Sequence, residues 1–152
     1  TCNRNKCYFC GECVMEANEI VMRTLRDQGG DVDYRTVLPA IVAKSGMKNA
    51  SSVQIGNSFF VYYRKKNAVL IEGYIQDTGR EAFKNQIKFL WHLQKEGVTH
   101  ATVLADPPQV RMMEVIKKYF QGTDTFVGIG RPQEDGSQLV LIRIGEDKIK
   151  RL

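Results

Sequence analysis

The chain has 152 residues, 43% apolar and 26% charged, with 13 glycines spread along it, which suits one globular domain with a real core and argues against two domains or a disordered tail. No apolar run approaches the roughly 20 residues that span a bilayer, and the opening TCNRNKCYFCGEC has no apolar signal segment, so a cytoplasmic protein without a membrane partner is expected. A net charge of +5 favours an anionic partner only weakly, and the basic groups (Arg64-Lys65-Lys66, Lys117-Lys118, Lys148-Lys150-Arg151) lack the interleaved aromatics of a single-strand binding surface, which argues against nucleic acid.

All four cysteines, Cys2, Cys7, Cys10 and Cys13, fall in the first thirteen residues, with spacing C-x4-C-x2-C-x2-C. Cys7-Tyr8-Phe9-Cys10-Gly11 has the form of a zinc knuckle, in which two thiolates wrap a tetrahedral ion and the glycine allows the tight turn. Residues 1–13 are therefore set apart as a Cys-rich segment with a zinc site expected. Such a site is structural, because four thiolates leave no open position for catalysis. An iron-sulfur cluster and a reduced segment of small apolar cysteines are the other readings.

From Glu12 to Leu25, Val14, Ala17, Val21 and Leu25 recur at helical intervals, and Gly29-Gly30 ends the pattern. A second helix is expected from Asp33 through Val37, Leu38, Ile41 and Val42, shortened or kinked by Pro39. From Ser52 the period changes to two: Val53-Ile55, Phe59-Val61-Tyr63 and Val69-Ile71 predict an antiparallel meander that turns at Arg64 to Asn67 and ends near Ile75.

Thr78 and Glu81 then stand three apart as a capping box, and Phe83, Ile87, Leu90 and Trp91 form the stripe of a long helix closed by Gly97. A buried strand over Thr99–Leu104 follows. Asp106-Pro107 opens a helix through Met113, Ile116 and Phe120 to Gly122. Phe126–Ile129 and Leu139–Ile144 flank the turn Gln133–Ser137 as a closing hairpin, with residues 146–152 as a basic tail. His92 and His100 read as packing or surface residues. The order α-α-β-β-β-α-β-α-β-β predicts one α/β (α+β) domain over residues 14–145, a mixed, mainly antiparallel sheet flanked by helices.

That order resembles the GNAT superfamily of acyl-CoA N-acyltransferases over Glu12 to Ile144. In that family the strand before the long helix ends in a loop of pattern Gln/Arg-x-x-Gly-x-Gly/Ala, whose amides hold the coenzyme A diphosphate at a helix N-terminus. Gln76-x-x-Gly79 matches the first half. The closing small residue is replaced by Glu81, and Ala82 comes one position late, with Arg80 beside it to offset the carboxylate. A capped helix following a strand is the other reading of this junction.

The resemblance implies that acetyl-CoA binds with Tyr74 and Ile75 along its pantetheine arm and Gln76, Thr78, Gly79 and Arg80 around its phosphates. Glu72 on the third strand is the implied base for an amine acceptor. The family's proton-donating tyrosine position falls on Ile116 or Lys118, which leaves Tyr119 as the candidate acid, with packing as its other reading. Those departures are similar to shortened acyltransferase-like proteins encoded by phages, which would set the chain in an infected host's cytoplasm. The alternative function is a non-catalytic interaction or assembly protein of the same fold, with a protein partner and a structural zinc segment. An open cleft between the strands on either side of the long helix favours the enzyme, and a filled one favours the alternative.

Overall fold

The computed structural model describes residues 15–29 and 49–152. The four cysteines and the helix expected from Asp33 lie outside the described residues. Helix α1 spans Ala17–Asp27. It buries Ile20, Val21 and Thr24, so of the expected stripe Val21 is buried, Ala17 and Leu25 are half-buried beside it, and Val14 lies outside the described residues.

Strands β1 (Ala50–Ile55), β2 (Ser58–Lys65) and β3 (Ala68–Ile75) form the meander. Its first turn needs glycine. Gly56 sits at φ +58°, and a Cβ there would come within 2.8 Å of Asn85 Nδ2 and 3.0 Å of Asp77 Oδ2. The second turn places Lys66 at φ +56°.

Helix α2 (Gly79–Lys95) starts after Thr78, as the spacing predicts, but the capping box does not form: Thr78 makes no side-chain cap bond. Glu81 instead stands 3.9 Å from Lys84 in a surface pair. Strand β4 (His100–Ala105) leads to α3 (Pro107–Tyr119), whose N-cap Asp106 also makes no cap bond, its carboxylate accepting from Gln28 Nε2 at 3.1 Å. Strands β5 (Phe126–Ile129) and β6 (Gln138–Arg143) close the chain's order.

The segment read as a basic tail is laid against α2. Gln94 Nε2 donates to the Gly145 and Asp147 carbonyls, and the Ile149 N–H donates to Gln94 Oε1, with Ile149 buried. Lys95 and Arg151 both lie over the Trp91 ring, at 4.4 and 5.2 Å from its centre. Ordering here comes from one apolar anchor and an aromatic plate that the run of charges conceals.

The six strands among the described residues form one sheet in the order β1-β2-β3-β4-β6-β5, with only β3 and β4 parallel. This is the mixed, mainly antiparallel, helix-flanked architecture expected from the sequence. Helices α2 and α3 cover one face, where Phe60, Ile71, Ile87, Phe89, Leu90, Leu93, Met113, Ile116, Val140 and Ile142 share a core. On the other face α1 packs Ile20 and Val21 onto Phe59 and Val61. Strand β2 is therefore buried on both sides from Ser58 to Tyr62, which is why its alternation is apolar throughout.

A candidate acyl-CoA cleft between two parting strands

The parallel ladder of β3 and β4 begins at Ala68↔His100 and stops at Ile71↔Val103, although β3 continues to Ile75 and β4 to Ala105. Beyond the last pair lies a cleft of about 770 Å³. Phe60, Ile71, Ile75, Phe89, Leu90, Val103, Met113 and Ile116 supply its apolar walls. Strand β3 remains paired to β2 as far as Ile75↔Ser58, so it stays extended while its other edge has no strand beside it.

The alternation of a strand's backbone says which groups face the gap. The Gln76 N–H donates away from it, to the Asn57 carbonyl at 3.0 Å beyond the end of β2. The amides and carbonyls of Ile75 and Gly73 therefore point to the cleft. An extended ligand with its own amides can pair with that edge as a strand would.

The 76–80 junction is partly committed to the fold. Asp77 Oδ2 accepts from the Asn57 N–H at 2.7 Å, from Ser58 Oγ at 3.3 Å and from Asn85 Nδ2, so its charge is turned into the β1–β2 turn. Gln76 Nε2 donates to Thr24 Oγ1 at 3.0 Å and to Asp27 Oδ2 at 3.1 Å, tying the end of β3 to the last turn of α1. Thr78, Gly79 and Arg80 are exposed at the N-terminus of α2, with Gly79 at φ +55°. They stand outside the cleft lining, whereas Ile75 and Gln76 belong to it.

Polar groups crowd the end of the cleft. Asp27, Asp106 and Asp135 contribute carboxylates. Bonds from the Ser137 hydroxyl, at 2.5 Å, and the Ser137 N–H, at 2.9 Å, hold the Asp135 carboxyl below its ordinary range.

Glu72 is one residue past the last position at which β3 pairs with β4, on the face that α1 covers. There it accepts from the Tyr74 hydroxyl at 3.1 Å. Burial, and then the neighbouring Glu72 carboxylate, push the Tyr74 phenol well above its ordinary value, so Tyr74 stays a donor. Neither side chain lines the cleft, which opens on the α2–α3 face. Tyr119 is placed elsewhere again, edge-on to Phe83 with ring centres 5.3 Å apart and 38% exposed.

Among the described residues no group of three or more His, Cys, Asp or Glu could hold a metal ion, and no helix is long and apolar enough to cross a membrane. His92 Nε2 lies 3.1 Å from the Tyr62 hydroxyl, which donates to Glu96 Oε1 at 2.7 Å. With its one proton so used, Tyr62 meets His92 as an acceptor of Nε2–H. His100 is exposed and lies 2.9 Å from Thr99 Oγ1.

Two polar residues of the region were not read as site residues from the sequence. Asn85 and Gln86 occupy the same buried stripe of α2 as Ala82, Phe89, Leu90 and Leu93. A polar pair at core-facing helical positions was the available signal.

No family model matches the sequence, and no curated protein is similar to it. Among solved structures, the chain is similar to the ribosomal-protein-S18-alanine N-acetyltransferase from Escherichia coli, with 12% identity and a TM-score of 0.46, over 88% of this chain and 95% of that one. At that identity and score the likeness says nothing of activity.

Proposed function

We propose that the cleft between β3 and β4 binds acetyl-CoA and that the protein transfers the acyl group to an amine. The observation that carries this reading is the early end of the parallel ladder at Ile71↔Val103, which leaves an apolar slot beside an unpaired strand edge. A slot of that kind fits a narrow, extended, amide-bearing chain such as a pantetheine arm. Bound acetyl-CoA supplies the acyl group as a thioester.

The chain's own groups then divide the work. The Gly73 and Ile75 backbone, with Tyr74 between them keeping the strand packed on α1, aligns the arm. Thr78, Gly79 and Arg80 at the start of α2 meet the phosphates, where a helix N-terminus and a guanidinium favour negative charge. Gln76 closes the slot against α1. Nitrogen bonds to the acyl carbon as the carbon–sulfur bond breaks and the thiolate leaves, and the amine proton passes to solvent water, because Glu72 faces α1 and does not line the cleft. The carboxylates of Asp27, Asp106 and Asp135 suit an acceptor that arrives protonated.

Calorimetric titration of the purified protein with acetyl-CoA tests this without knowledge of the acceptor. Micromolar binding supports it, and no heat at millimolar ligand removes it.

A second reading, a non-catalytic interaction protein, draws on one observation. Leu70, Leu104, Phe126, Leu139 and Leu141 are all at least 42% exposed, and the register sets Leu104 against Leu139 and both Leu70 and Leu141 against Thr102 on one sheet face. Contiguous exposed apolar surface marks contact sites. Light scattering of the protein with and without candidate partners, alongside the titration, separates the two.

A further inference from the structure

The interior of the cleft holds a polar side chain that the described residues leave without a partner. Gln86 lies on the sheet-facing stripe of α2, is 6% exposed and lines the cleft. Its Nε2 has no hydrogen-bond partner among the described residues. The contrast with the preceding residue is informative: Asn85, equally buried, spends its amide on Asp77.

A buried amide donor left unpaired is costly, and native structures rarely keep one without a use for it. Gln86 stands among Phe89, Leu90, Phe60 and Ile71, where a leucine would pack at no such cost. Nε2 is closed to solvent as the side chain stands. A half-turn of the terminal amide exchanges it with Oε1, which no bond to the described residues holds, and presents the donor to the open cleft, where a ligand supplies the acceptor.

We infer that Gln86 is a ligand-positioning residue whose Nε2–H donates to an amide carbonyl oxygen of the molecule that enters the cleft. A carboxamide is the natural complement of another amide, since each offers one acceptor and at least one donor in a plane. The inference rests on the reading of the cleft as an acyl-CoA site and assigns the depth at which the amide-bearing arm is fixed: beside the middle of α2, away from the phosphates at the helix start. The strand edge can pair with one side of the arm and Gln86 with the other, so the arm is held in register as well as in place.

The test compares wild type with Gln86→Leu and Gln86→Met, two substitutions close in volume that remove the amide. Each protein is titrated with acetyl-CoA and with adenosine 3′,5′-bisphosphate, which carries the nucleotide end but no amide arm, and each is melted without ligand. The expected result is about tenfold weaker acetyl-CoA binding in both variants, the worth of one buried hydrogen bond. Affinity for the nucleotide fragment stays unchanged, and the ligand-free melting temperature is equal to or above that of wild type.

A purely structural role predicts the reverse, a lower melting temperature with no selective loss for the amide-bearing ligand, and overturns the inference. Variants that bind acetyl-CoA as wild type does also overturn it while leaving the acyl-CoA reading intact. A wild type that binds no acetyl-CoA overturns that reading and this inference together.

Discussion

The carboxylate of Asp77 accepts the backbone N–H of Asn57 at 2.7 Å, joining the strand-to-helix junction to the turn between β1 and β2. The same oxygen serves Ser58 and Asn85, which are 0% and 3% exposed. An acidic residue inside a loop proposed to meet phosphates looks self-defeating in the sequence, yet its charge is spent on these donors. The junction is thus both a corner and an open helix end.

Asp77→Ala should therefore destabilise the fold. It leaves the Ser58 hydroxyl and the Asn85 amide buried with partners missing, at a cost of about 2–3 kcal/mol. For a chain of this size that is a fall of about 5–10 °C in melting temperature, read by circular dichroism. A change of a degree or less would mean the three bonds carry no weight.

Gly79→Asp separates binding from folding. Gly79 sits at φ +55° with nothing within 4 Å of an added Cβ, so the cost is backbone strain alone, about 1–2 kcal/mol and least for Asp and Asn. A new carboxylate at the start of α2 opposes a diphosphate there. Acetyl-CoA binding should disappear from calorimetry while the melting temperature falls by only a few degrees. Unchanged binding would move the phosphate site away from this helix.

Glu72→Gln should leave both acyl transfer to an amine and acetyl-CoA affinity within a factor of about two, because the side chain faces α1; a loss near 100-fold, about the usual worth of a positioned base, would restore it as the base. Thiol release in the presence of a screened acceptor reads the first and calorimetry the second. Tyr119→Phe keeps the edge-on contact with Phe83 and should leave turnover unchanged. A loss of thiol release in that variant would restore the phenol as the proton donor.

The Tyr62 phenol is pushed up to about 12, by burial first and then by Glu96. A raised folded value means that the protonated form is the one the fold favours. Its stability contribution is fully present below pH 10, the unfolded value, and is lost as the pH rises through about 12. Urea melts at pH 9, 10.5 and 12 should show a decline that is shallower in Tyr62→Phe. Parallel declines in the two proteins would locate the alkaline loss elsewhere.

The spacing Cys2, Cys7, Cys10 and Cys13 predicts one zinc ion per chain, measurable by elemental analysis of protein purified without chelator. Cys7→Ser should remove it. Iron in place of zinc would favour the cluster reading, and no metal would leave the four thiols as ordinary side chains.

Much of the fold was legible because periodicity is a local property. The two-residue alternation of Phe59-Val61-Tyr63, the helical stripe from Phe83 to Trp91 and the Asp106-Pro107 start each depend on neighbours within a turn or two, and each appears where the spacing places it. The expected capping box was also a local inference, and it failed. A Thr and a Glu three apart only permit those bonds, and here Thr78 makes no side-chain cap bond while Glu81 stands near Lys84.

The site was less legible, because it is made by what happens between elements far apart in the chain. Nothing near Ile71 or Val103 in the sequence says that their pairing is the last of the ladder. Gln86 reads as a minor polar blemish on an apolar stripe until the parting of β3 and β4 puts an open cleft beside its unpaired amide. Ile149, hidden among charges, becomes an anchor only because Gln94 on α2 holds its backbone. Among the described residues the sequence by itself determined the order of elements, since this follows from side-chain period and turn chemistry. Where two strands part, and which polar groups are stranded there, was decided by the tertiary structure, because those depend on long-range pairing that no local pattern encodes.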